Sequence, residues 1–279
     1  MKKRIFSLTL AALIALTAFA GCTNDSGESG EAANTEAAAA NENIANTEPE
    51  ELEIPEYITI AGYEIHTLWT ELDFRGINVD NSEVELLSYM SNLRELFLGD
   101  NQIQISNISP LSGLTNLRTL YLGRNRISDI SPLAALTDLE VLYLNQNQVN
   151  DISALAGLTN LTILSLNDNQ VGDISALAEL TNLTLLALDN TGISDIGALV
   201  GLTNLTELFL YNNPINDINV LTELPNLKEL GLSGSQVSDI SELFGLTTNL
   251  EKLWLQGLSI SDGQFAELQA ALPNTEIFD

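Results

Sequence analysis

The chain has 279 residues, 45% of them hydrophobic and 17% charged, enough for one or two domains with real cores. Acidic residues outnumber basic ones 38 to 10, for a formal net charge of −28. Such an excess repels phosphates, which speaks against nucleic acid and against adsorption to an anionic membrane surface, and it favours basic or neutral partners.

Three of the ten basic residues, Lys2, Lys3 and Arg4, open the chain. Residues 5–20 follow as an apolar run broken only by Ser and Thr, and Ala20 and Gly21 are small. This is the n-region, h-region and cleavage pattern of a secretory signal peptide, expected over residues 1–21, and the run is short for a membrane span. Cys22 is the only cysteine, so no internal disulfide can form. It directly follows Phe19-Ala20-Gly21, which resembles the bacterial lipobox, although leucine is more usual where Phe19 stands. That resemblance implies a lipid on Cys22, attaching the exported protein to the outer face of a membrane. The second reading is ordinary cleavage at Ala18-Phe19-Ala20, which leaves Cys22 a free thiol.

Residues 22–52 change composition: Gly, Ser, Asn, Ala, Thr and Glu dominate, with no aromatic residue. Seven glutamates from Glu28 to Glu51 repel one another. A disordered acidic tether is expected here.

A front cap with a degenerate first repeat is expected over residues 53–93. Tyr57-Ile58-Thr59-Ile60 with Tyr63 reads as a capping strand. Residues 80–90 read as a helix, with Ser82 and Glu85 as its capping box and Val84, Leu87 and Met90 on its apolar side.

Residues 94–260 repeat. The frame Leu142-Tyr143-Leu144-Asn145-Gln146-Asn147 recurs, and the slot of Asn147 is filled by Asn125, Asn169, Thr191, Asn213 and Ser235 at a strict 22-residue step. Asn101 precedes by 24, through an insertion near Ile105-Ser106, and Leu258 follows by 23, through the extra residue in Thr247-Thr248. With the first copy at Leu72-Asp73-Phe74 there are nine. The unit L-x-x-L-x-L-x-x-N-x-I/V-x-D-I-S-x-L-x-x-L-T-N matches the leucine-rich-repeat signature, and its length resembles bacterial internalin-type repeats over residues 71–262.

The expected fold is therefore an α/β leucine-rich-repeat solenoid, a horseshoe with a parallel concave sheet and a convex side of short 3₁₀ turns, capped at both ends. Leu142 and Leu144 point inward, while Ile152, Leu155 and Leu158 close the core from the convex side. The Asn147 series is expected to form a buried amide ladder, with Thr191 and Ser235 filling the role only in part. Pro110 and Pro132 suit the start of a helical turn. The aspartates Asp129, Asp151, Asp173, Asp195, Asp217, Asp239 and Asp262 read as caps. One carboxylate per turn does not supply the six to eight oxygens of a calcium cage. A back cap is expected over residues 261–279: a helix capped by Asp262 with Phe265, Leu268 and Leu272, stopped by Pro273, then an edge strand at Ile277-Phe278.

The residues between the inward leucines define the concave face. Its central column reads Asp73, Phe97, Tyr121, Tyr143, Ser165, Ala187, Phe209, Gly231, Trp254. Val141, Ile163 and Leu185 beside it, and Tyr211 on the other side, extend the apolar surface, with a notch at Ser165 and Ala187. Exposed aromatics in one stripe mark a recognition surface; cross-strand packing that stiffens the sheet is the alternative. Phe97, Tyr121, Tyr143, Val141, Ile163, Leu185, Phe209, Tyr211 and Trp254 are the expected partner-binding residues.

No catalytic site and no cofactor is expected. His66, the single histidine, lies in the front cap, and the many carboxylates sit in no identifiable cleft, which ranks an envelope hydrolase low. Asn160, Asn182 and Asn204 begin glycosylation sequons that follow from the repeat. The tether and the concave aromatics point to a protein-binding or adhesion module at the cell surface, in line with what the internalin resemblance implies; aromatics that could stack on sugar rings make a carbohydrate or cell-wall ligand the alternative, and caps at both ends favour a monomer. Neither an immunoglobulin-like extension nor a wall-anchoring domain is expected after the repeats, a departure from the internalin pattern that speaks against host-cell invasion.

Overall fold

A computed structural model describes residues 54–101, 105–246 and 249–279. The expected signal peptide and tether, Cys22 and Thr247-Thr248 lie outside the described residues.

The front cap is a hairpin of β1 (Tyr57–Ile60) and β2 (Tyr63–His66), antiparallel, with Ile58, Ile60 and Ile65 buried. The expected capping strand is thus one half of a pair. The turn between its strands places Ala61 and Gly62 in the left-handed region, which glycine tolerates best. Helix α1 (Asn81–Val84) follows and continues as a 3₁₀ segment over Glu85–Tyr89. Its capping box joins Asp80 to Glu83, not Ser82 to Glu85. Both pairs have the right chemistry and spacing. Asp80 prevails because it is the residue with extended backbone, and its carboxylate accepts from the Ser82 and Glu83 amides. The expected apolar side holds: Val84, Leu87 and Met90 are fully buried.

The repeats then stack. Strands β3 (Glu71–Asp73), β4 (Glu95–Phe97), β5 (Thr119–Tyr121), β6 (Val141–Tyr143), β7 (Ile163–Ser165) and β8 (Leu185–Ala187) lie side by side in chain order. They continue into β9 (Glu207–Phe209), β10 (Glu229–Gly231), β11 (Lys252–Trp254) and β12 (Glu276–Phe278), making one parallel sheet of ten strands. Alternation puts the middle residue of each strand inward, and Leu72, Leu96, Leu120, Leu142 and their successors are buried. The opposite side consists of 3₁₀ segments such as Ser131–Ala135 and Ser153–Leu155, each burying one leucine. Pro110 and Pro132 sit in the first two positions of theirs, where a missing amide hydrogen is harmless.

Between strand and 3₁₀ segment the chain turns through a left-handed residue, for example Arg124, Gln146, Asp168 and Asn190, with φ of 58°, 55°, 56° and 53°. The asparagine ladder holds these turns. Asn169 Nδ2 donates to Leu166 O at 2.8 Å in its own repeat and to Leu144 O at 3.0 Å in the one before, and Oδ1 accepts from Val149 N at 2.9 Å. Asn147 makes the same three bonds. Thr191 keeps one of them, donating to Leu188 O at 2.6 Å, and Asn213 Oδ1 covers the neighbouring amides of Gly192 and Ile193. Ser235 Oγ is buried and finds no partner among the described residues.

The aspartate column caps as expected. Asp129, Asp151 and Asp173 each accept from the amide two residues on at 2.8 Å, and Asp195, Asp217 and Asp239 do likewise. Those amides are the first of each 3₁₀ segment. Bonding from the serine two residues on holds four of the carboxyls below the usual aspartate range, through the Ser131 side chain first and then its amide for Asp129, and through the amide first and then the side chain for Asp151, Asp173 and Asp239. Asp262 differs: it begins α2 (Asp262–Ala271), whose cap is Ser261 in a box with Gln264. Ser261 has the extended backbone a cap requires, one residue earlier than expected. Leu268 and Leu272 close the core; Phe265 is only half-buried.

A second ladder runs along the outer edge. Asn116, Asn160, Asn182, Asn204, Asn226 and Asn249 each donate Nδ2 to a carbonyl of the preceding repeat at 2.8–3.1 Å. Three of these residues read in the sequence only as incidental sequons. Asp138 occupies the same slot, and an ionised carboxylate cannot donate.

Candidate functional site

Strand register determines the concave face. Phe97 pairs with Tyr121, Tyr121 with Tyr143, Tyr143 with Ser165 and Ala187 with Phe209, so the central column is continuous. Within it the aromatics form two groups. In the first, Phe97 and Tyr121 lie 4.8 Å apart between ring centroids, and Tyr121 and Tyr143 stack at 4.3 Å with 13° between planes. Arg75 sits 5.0 Å from the Phe97 ring centre and closes that end. Val141 and Ile163 pack against this group.

The second group comprises Phe209, Tyr211, Trp254 and Phe278. Phe209 lies 5.9 Å from Tyr211 and 6.0 Å from Trp254, and Tyr211 meets Trp254 edge-on at 6.3 Å. Trp254 stacks on Phe278 at 5.3 Å, with Lys252 beside it. Phe278 belongs to the column, and sequence reading placed it only in an edge strand. The signal was present, because Glu276-Ile277-Phe278 repeats the acidic-apolar-aromatic pattern of Glu207-Leu208-Phe209.

Between the groups, Ser165 and Ala187 floor the gap, and both are buried. Ile163 and Leu185 are half-buried beside it.

Exposure divides the expected binding residues. Phe97, Tyr121 and Val141 are buried, at 7–8% exposure, and so serve partly as cross-strand packing. Tyr143, Ile163, Leu185, Phe209, Tyr211 and Trp254 are half-buried, with surface still open to a partner. The stripe is therefore less exposed than alternation alone implies, because neighbouring rings cover one another. Burial pushes the Tyr121 and Tyr211 phenols up, so both hydroxyls remain hydrogen-bond donors at neutral pH.

The flanking columns are acidic toward the ends. Glu71 pairs with Glu95 and Glu207 with Glu229. Burial first, and then the neighbouring glutamate, raises the Glu95 and Glu207 carboxyls above the usual range. On the other side Asp189 Oδ1 accepts from Tyr211 N at 2.8 Å, while Asn167 Oδ1 accepts from Asp189 N at 2.9 Å. Burial lifts Asp189 to about 7. The cations of the face are already engaged: Arg75 bridges Asp73 at 2.6 Å and Lys252 bridges Glu229 at 2.7 Å.

No group of three or more metal-ligating residues occurs among the described residues, and no described helix is long and apolar enough to cross a membrane.

The leucine-rich-repeat family model, described as leucine rich repeats in two copies, matches residues 91–135, 137–179 and 181–223. No curated protein sequence matches the chain significantly. Among solved structures, the chain is similar to internalin C2 of Listeria monocytogenes, with 34% identity, 72% of this chain and 86% of that one covered, and a TM-score of 0.62. It is also similar to a leucine-rich-repeat protein of Leptospira interrogans, with 27% identity and a TM-score of 0.67; 75% of this chain and 60% of that one are covered. The functional domain of InlJ from Listeria monocytogenes, which includes a cysteine ladder, shares the fold at 18% identity and a TM-score of 0.56, with 78% and 55% covered.

Proposed function

Because the chain belongs to the internalin-like leucine-rich-repeat proteins, we propose that it is a protein-binding module that engages its partner across the concave sheet. The observation that carries this reading is the pair of aromatic groups centred on Tyr143 and on Phe209, Tyr211 and Trp254. They occupy the face of a sheet whose core is already complete on the other side, so packing alone does not require them there. Half-buried rings fixed against their neighbours lose little side-chain entropy on binding, which suits them as anchors.

The same geometry favours a protein over a sugar ligand. Sugar rings stack on exposed aromatic faces. Here the faces of Tyr121 and Tyr143, and of Trp254 and Phe278, are used on each other. The secretory leader and Cys22 support export and attachment through lipid to the outer face of a membrane, with residues 22–52 as the spacer.

The test is capture of a partner from surface extracts with the full chain, beside a Tyr143→Ala, Trp254→Ala variant whose circular dichroism matches. Tyr121 is left intact, because it is buried in the first stack and its loss would disturb the sheet. A protein partner retained by the parent and lost by the variant is expected. Equal retention by both would place binding elsewhere, and retention of glycan alone would reverse the choice of ligand.

A further inference from the structure

We propose that the partner segment is apolar in its centre and basic at both ends, an inference that rests on the concave-face reading above. In the first flanking column Glu71 and Glu95 stand together at one end, Glu207 and Glu229 near the other, with Thr119, Val141, Ile163 and Leu185 between. The apolar middle lies beside Tyr143 and the floor of Ser165 and Ala187. An apolar surface about 24 Å long between Glu95 and Glu207, five strand spacings, is thus bracketed by carboxylates.

These brackets are uncomfortable in the free protein. Like charges directly opposite one another on a sheet repel, and the register places Glu95 against Glu71 and Glu207 against Glu229. Relief from within the face is partial. Lys252 bridges Glu229 and Arg75 bridges Asp73, and no ion pair reaches Glu71, Glu95 or Glu207 among the described residues. Asp189, on the other flank of Ala187 and Phe209, is half-buried and bonded to the Tyr211 amide, so the brackets rest on the four glutamates. A partner bringing one basic group to each end would remove both repulsions and gain two close ion pairs at a partly desolvated surface. Basic residues about seven apart in an extended segment have the required reach. An acidic partner would meet the same carboxylates as a barrier, which gives the surface a basis for rejection as well as for binding.

The test is selection from a phage-displayed library of random peptides of about 16 residues, long enough when extended to span both pairs. The full chain, a Glu95→Gln, Glu207→Gln variant and the Tyr143→Ala, Trp254→Ala variant serve as baits. Enrichment on the parent of peptides with apolar centres and Lys or Arg at both ends is expected. Those peptides should lose about a hundredfold in affinity on the glutamine variant, roughly tenfold for the pair at each end. The glutamine variant is also expected to melt no lower than the parent, which excludes misfolding as the cause. Apolar peptides enriched without basic ends, yet dependent on Tyr143 and Trp254, would overturn this inference and leave the concave reading intact. Peptides held equally by the aromatic variant, or no enrichment on the parent, would overturn both.

Discussion

The phenol ring of Tyr211 lies over Gly231 of the next strand, so close that a β-carbon at Gly231 would collide with it. The central column thus loses a side chain at Gly231 and gains one from its neighbour, and Tyr211 reaches Phe209 and Trp254 by crossing that gap. Gly231→Ala is expected to push Tyr211 off the sheet, cost about 1–2 kcal/mol through overpacking, and change the near-ultraviolet circular dichroism of the Tyr211–Trp254 contact. An unchanged spectrum would mean that the ring does not rest there in solution.

The ladder asparagines should be among the costliest polar residues to remove. Asn169→Ala deletes four hydrogen bonds, the longest of them to Asn167 O at 3.3 Å, and leaves Leu144 O, Leu166 O and Val149 N in need of partners. A loss of about 2–4 kcal/mol in urea unfolding is expected. Asn169→Thr should recover part of it, since Thr191 in the same slot still donates to its own repeat.

Asp138 interrupts the outer ladder, where its counterparts donate to the preceding repeat. Asp138→Asn restores a donor and removes one negative charge from a strongly acidic chain. Stabilisation of about 0.5–1 kcal/mol, seen as a higher melting temperature, is expected. No change would show that the outer bonds are exchanged for water at no cost.

Much of the architecture is legible in the residues, for identifiable reasons. The 22-residue step allows only one stacking register, and Tyr121 and Tyr143 are accordingly side by side. Cap positions were offset by one or two residues at both ends, because Asp80 and Ser82, or Ser261 and Asp262, have equivalent cap chemistry; backbone conformation decides between them. The burial of Phe97 and Tyr121 was not legible either. Alternation gives the side of the sheet a residue occupies, and only the tilt of neighbouring rings determines how much of it solvent reaches. The acidic bracketing of the apolar column was written in the flanking residues, but its electrostatic cost depends on pairing and burial.

Asp189 gives the fold a pH signature. Burial lifts its carboxyl from 3.8 to about 7, against the pull of the Tyr211 amide and with a smaller push from Asp168. A raised acid holds its proton more tightly folded than unfolded. Its contribution is therefore fully present below about pH 4 and is lost as pH rises to about 7. Asp189→Asn keeps an acceptor for Tyr211 N and has no proton to lose. The stability of the variant relative to the parent should rise through that window and level off above it, by on the order of 4 kcal/mol. A difference independent of pH would contradict the burial of this carboxyl.

The most direct measurement of concave recognition is hydroxyl-radical footprinting of the full chain, free and saturated with its captured partner. The side chains to follow are Tyr143, Phe209 and Trp254 on the face, with Trp69 in the front cap and Val200 on a 3₁₀ segment as exposed references, at 43% and 55% exposure. Protection of the first three, with the references unchanged, is the expected result. Protection of Trp69 or Val200 while Tyr143, Phe209 and Trp254 remain as reactive as in the free protein would contradict binding across the concave sheet.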